Sequence, residues 1–85
     1  MNQNENGLAP LVLDTRPIFA RGETPCGEIE RAVAALRPGQ GFVILAPFNP
    51  EPLAAKLQQQ GFQRQARQLE DGTWRIEFRR DTSTA

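Results

Sequence analysis

The run Phe42-Val43-Ile44-Leu45-Ala46, opened by Gly41 and closed by Pro47, restricts the fold of this chain more than any other stretch. An unbroken apolar run between two breakers reads as a central strand covered on both faces. Such a strand needs partner strands and a layer of helix against it. The chain has 85 residues, and one of that size buries only about 60% of its unfolded surface, enough for a single modest core.

The elements around that run follow from local signals. Leu11-Val12-Leu13 reads as a first, short strand, and Asp14-Thr15-Arg16-Pro17 closes it because Pro17 has no N–H for a ladder. A connection of about ten residues then runs to Thr24, longer than most strand-to-helix links, and long connections in compact domains often carry function. Thr24 is expected to cap the first helix, with Pro25 at its first position. Cys26, Ile29, Ala32, Val33 and Leu36 recur with the spacing of one buried helical face, and Arg37-Pro38-Gly39 stops it. After Pro47, Asn49 is expected to cap a second helix with Pro50 at its first position. Leu53, Ala54 and Leu57 form its inner stripe, and Gly61 fits the left-handed residue at its end, with Phe62 packing back.

Phe62 to Leu69 alternates weakly and reads as an edge strand. Asp71-Gly72 marks a tight turn, and Trp74, Ile76 and Phe78 alternate with Arg75, Glu77 and Arg79 as in a half-buried strand. Polar residues 1–9 and 81–85 are expected to be a disordered leader and tail, which leaves residues 10–80 as one domain.

The order strand, helix, strand, helix, strand, strand (β-α-β-α-β-β) predicts an α/β (α+β) two-layer sandwich. It has a four-stranded mixed sheet with two helices on one face, and the first crossover makes the first two strands parallel. The uncovered face would then expose Val12 or Leu13 and one alternate set from Phe42 to Ala46, from which weak self-association is expected.

Composition removes several function classes. Ten Lys plus Arg against ten Asp plus Glu give a formal net charge of zero, without the electrostatic footprint of a general nucleic-acid or membrane-surface binder. No His and a single Cys leave almost no ligands for a zinc or transition-metal site and no haem attachment motif. The same absence excludes histidine acid–base catalysis and any Ser/His or Cys/His relay. No metal or other cofactor is expected. A lone cysteine forms no internal disulfide, no secretion signal opens the chain, and its apolar runs fall far short of the roughly 20 residues of a membrane span. A reducing cytoplasm is the expected location.

Chemistry, if the chain performs any, concentrates at Thr24-Pro25-Cys26-Gly27-Glu28. At the start of a helix, unpaired N–H groups and the positive end of the dipole favour a thiolate nucleophile, with Arg21 as a further cation. Against that stands a packing reading, in which Cys26 begins the apolar stripe as a small buried hydrophobe. Arg16, Arg21, Thr24 and the N–H groups of Cys26 and Gly27 could also form an anion pocket. Ordinary pairing of Arg21 with Glu23, and of Glu28 with Arg31 three positions on, is the plainer alternative. Phe48, in the rigid stretch Pro47-Phe48-Asn49-Pro50-Glu51-Pro52, is either a docking residue beside the Cys26 turn or a staple on the second helix.

The element order, the pair Leu13-Asp14 and a cysteine opening the first helix resemble the TusA/SirA family of small sulfur-carrier proteins. Leu13-Asp14-Thr15-Arg16-Pro17, Arg21-Gly22-Glu23, the Ala46-to-Leu53 stretch, Gly61-Phe62 and Trp74-Arg75 look more closely like an uncharacterised bacterial family of TusA-like domains. That resemblance covers about residues 11 to 80. It implies a sulfur-relay or thiol-dependent accessory carrier in which Cys26 bears the sulfur and exchanges it with donor and acceptor proteins. The TusA pattern is Cys-Pro-x-Pro, whereas here the proline precedes the cysteine and Gly27-Glu28-Ile29 follows it. A non-catalytic interaction or small-anion-binding module, with Cys26 as packing, is the alternative of a different class.

Overall fold

The structure, a computed structural model, describes residues 9–80; the expected tail, and the expected leader apart from Ala9, lie outside the described residues. Strand β1 (Leu11–Asp14) is followed by helices α1 (Arg16–Ala20) and α2 (Cys26–Ala35). Strand β2 (Phe42–Ala46), helix α3 (Glu51–Gln59) and the hairpin of β3 (Phe62–Gln68) and β4 (Trp74–Arg80) complete the domain. The strands form one mixed sheet in the order β1-β2-β4-β3, with β1 and β2 parallel and the other pairs antiparallel. The two-layer α/β sandwich expected from the sequence is therefore the architecture.

Registry explains where the core sits. Leu11 and Leu13 lie beside Phe42 and Ile44, which in turn face Phe78 and Ile76, with Ala46 opposite Trp74. Side chains alternate across a strand, so all of these project to one face. There they meet Ile29 of α2, Ala54 and Leu57 of α3, and Phe19 of α1. Phe78 stands between two other rings, 6.1 Å from Phe42 and 6.3 Å from Phe62 between centroids. Gly61 has a φ of +98°, the left-handed conformation that lets the chain leave α3 and turn directly into β3. Gly72, at φ +90°, does the same for the β3–β4 turn.

Three sequence expectations need correcting. The connection after β1 is not loop alone, because residues 16–20 form a third helix. Pro17 enters the first turn of α1, where its lack of an N–H does no harm, and Ile18 anchors the helix by burial. Neither Thr24 nor Asn49 caps a helix. The residues preceding α2 and α3 are Pro25 and Pro50, without side-chain cap bonds, and both are fully buried. The third correction concerns exposure. Helices cover β2 on one face only, yet Val43 on the other face is buried, flanked in register by Val12 and Glu77. Of the apolar residues expected to be uncovered, Val12 is 53% exposed and Leu45 partly buried.

Phe78→Ala removes a fully buried ring from the centre of this cluster and is expected to cost about 3–5 kcal/mol in denaturant unfolding. Val12→Ala, at an exposed site, is expected to stay within about 0.5 kcal/mol of the parent. Equal effects of the two substitutions would contradict the one-sided core.

Candidate functional site

Parallel pairing brings the C-terminal ends of β1 and β2 to the same edge of the sheet, and the first two residues past β1 are fixed there by hydrogen bonds. Thr15 is fully buried, and both its N–H and its hydroxyl donate to the carbonyl of Leu45, at 2.8 and 2.7 Å. The hydroxyl is thus committed to the neighbouring strand, and α1 begins without a side-chain cap.

Beside Thr15 lies an ionic brace. Arg16 donates from Nε and Nη2 to the two carboxylate oxygens of Asp14 at 2.9 and 2.8 Å, the paired geometry that suits a guanidinium to a carboxylate. Its third arm donates to the Thr73 hydroxyl at 3.1 Å, tying β1 to the β3–β4 turn. In that turn the Asp71 carboxylate accepts the Thr73 N–H at 2.9 Å. The hydrogen bond from Arg16 holds the Asp14 carboxyl below its ordinary value, against a smaller opposing push from desolvation. Thr73, through its N–H first and then its side chain, lowers Asp71 in the same way.

Arg21 pairs with Glu23 instead, at 3.1 Å, with both side chains exposed. Thr24 is exposed and makes no hydrogen bond to the helix start. Arg16 and Arg21 are thus each engaged by a carboxylate, and the start of α2 receives no side-chain cap hydrogen bond. Glu28 and Arg31 approach to 3.8 Å as ordinary neighbours on α2, and the Arg31 side chain lies over Gly27.

Cys26 is exposed, so it is not the enclosed packing residue of the alternative reading. It is the first residue of α2 and lies at a groove of about 180 Å³ between α2 and α3. Ile29 and Val33 from one helix, and Leu53 and Leu57 from the other, make the apolar walls. Glu30 and Lys56 face each other across it at 4.0 Å. Phe48 is 47% exposed and rests on Phe19, 4.7 Å between ring centroids. Through this ring pair it packs on α1. Sequence reasoning did not anticipate Lys56, Glu30, Asp71 or Thr73. Lys56 lies between Leu53 and Leu57 in sequence, on the flank of the same stripe, and Asp71 is legible only as a turn former.

Residues 12–80 match the sequence model of a family described as uncharacterized conserved protein (DUF2249). The chain belongs to this family. The match begins at β1 and ends with β4, so it takes in the brace, the Cys26 turn and the groove alike. No curated protein and no solved structure matches the chain. Among the described residues no group of three or more His, Cys, Asp or Glu side chains is placed to hold a metal ion, and no helix is long and apolar enough to cross a membrane.

The brace sets a pH dependence. Because Asp14 and Asp71 have folded-state pKa values below the ordinary 3.8, their contribution is present above that value and is lost as pH falls through the lower, folded-state values. Thermal melts are expected to show a smaller loss of stability on acidification for Asp14→Asn/Asp71→Asn than for the parent. Parallel curves for the two proteins would show that these carboxylates carry no linkage.

Proposed function

We propose that this domain is a sulfur-relay or thiol-dependent accessory carrier with Cys26 as its working group. The observation that carries the reading is the exposed thiol at the first residue of α2, beside an apolar groove. A carrier thiol has to be reached by two partner proteins in turn, and an enclosed sulfur is not reachable. The order of elements and the position of the cysteine support a TusA-like assignment within the DUF2249 family. A single unpaired thiol is also kept reduced in a bacterial cytoplasm, the compartment this reading requires.

The chemistry is thiol exchange. The Cys26 thiolate attacks the terminal sulfur of a persulfide on a donor protein, and the donor's thiolate leaves. Cys26 then holds the sulfur as its own persulfide. An acceptor thiolate attacking that terminal sulfur takes it away and returns the Cys26 thiolate. No net oxidation occurs in either step. The protein supplies position and access, and the groove offers apolar area on which a partner can seat beside the sulfur.

A second reading has one observation in its favour: the Phe48 ring, half exposed on its Phe19 support, is the type of aromatic anchor found in protein interfaces. In that reading the domain is a non-catalytic interaction module.

Intact-mass analysis after incubation with a cysteine desulfurase and free cysteine separates the two. The expected result is a gain of one sulfur atom in the parent, reversed by reductant and absent in Cys26→Ser. No gain in the parent, with the thiol still open to alkylation in the folded protein, would reject the carrier and leave the interaction module.

A further inference from the structure

The face of the sheet away from the helices has an uneven charge distribution. On β3 and β4 its residues are Gln63, Gln65, Arg67, Arg75, Glu77 and Arg79. Three guanidinium groups therefore share one carboxylate there, in a chain whose formal net charge is zero. Glu77 already serves two of them, Arg79 at 2.9 Å and Arg75 at 3.8 Å. Arg67 stands directly opposite Arg75 in register and has no ion pair among the described residues. Like charges placed opposite one another weaken a strand pair. Nothing in the core requires the Arg67–Arg75 arrangement, because both side chains lie on the face that the helices do not cover.

We infer that this face is a docking surface for an acidic amphipathic helix of a partner protein. Charge complementarity is the main ground. A carboxylate set between Arg67 and Arg75 would take hydrogen bonds from both guanidinium groups and relieve their repulsion. Beside the arginines, exposed Val12 and partly buried Leu45 give the same face an apolar margin. A helix about 10 Å across covers roughly two strands at their spacing of about 4.8 Å, so one lying over β2 and β4 sets leucine side chains against Leu45 and glutamate side chains against Arg75, within reach of Arg67 on the next strand. Nucleic acid fits the surface less well. Phe42, Phe62, Trp74 and Phe78 all belong to the helix-side core, so the open face has no ring on which bases can stack. A second copy of this chain fits less well too, since it would bring further arginines onto these. The surface is independent of Cys26 and does not rest on its chemistry.

The test is a backbone-amide NMR titration of the whole chain with a synthetic helical peptide of leucine and glutamate on opposite faces. Shifts are expected at residues 12, 45, 67, 75 and 79 and to be absent from α2 and α3. Arg67→Glu/Arg75→Glu is expected to weaken binding by about tenfold or more. Raised salt is expected to weaken the parent's binding, a reading that does not depend on the variant's folding. The inference is overturned by absence of shifts on this face or by equal binding of a lysine version of the peptide. Tighter binding of a single-stranded oligonucleotide, or self-association through the same residues, would overturn it as well.

Discussion

Phe42, Ile44 and Ala46 have no solvent exposure because β2 has a strand at each edge and a helical layer over one face. That one-sided burial governs the rest of the chain. It requires β4 to present Trp74, Ile76 and Phe78 to the helices, and alternation then sends Arg75, Glu77 and Arg79 to the other side. A shift of one residue in β4 would place three charged side chains in the core, so the register is strongly specified. Val43, on the other face, is also buried, with Val12 and Glu77 beside it in register. The charged open face is thus the consequence of the same pattern that builds the core.

The sheet's C-terminal edge depends on a second device. Thr15 donates twice to one carbonyl of β2, and Arg16 spans from Asp14 to the β3–β4 turn. The end of β1 is thereby connected through side chains to the turn that leads into β4, across β2, and Phe48 rests on Phe19 of α1. Pro25 and Pro50, both buried, bring the chain from this edge into α2 and α3. Cys26 consequently projects from the end of a helix entered through a packed residue. The proposed exchange would gain from such placement, since a reacting atom on a rigid element keeps its geometry.

Much of this was legible in the chain. The Phe42–Ala46 run, the alternation from Trp74 to Phe78, Asp71-Gly72 and Gly61 each carry a strong local rule, and each element they define is present. Helix α1 escaped because its start and stop signals, Thr15-Arg16-Pro17 and Gly22, enclose too few residues for periodicity to register. The cap assignments failed for a tertiary reason. Burying the two prolines outweighs a side-chain cap; Asn49 turns instead to Glu51, at 3.2 Å, and leaves its own oxygen buried without a partner. For the site, residue identity showed which groups were available but not how they pair. Arg16 and Arg21 each lie two positions from a carboxylate in sequence, and each pairs with it.

The two candidate surfaces lie on opposite sides of one sheet, and this bears on how a carrier of this size could work. A domain with a single reactive atom has to discriminate among partners without a large pocket. If recognition and reaction used the same groove, donor and acceptor would compete for it and each would have to leave before the next arrived. The arginine face is separated from the helix layer by the thickness of the sheet and its packed side chains, about 10 Å. A partner held there by its carboxylates leaves the α2–α3 groove and Cys26 uncovered. On the two proposals together, retention and exchange would be set by different residues, so that substitutions at Arg67 and Arg75 would alter affinity without touching the geometry of the thiol.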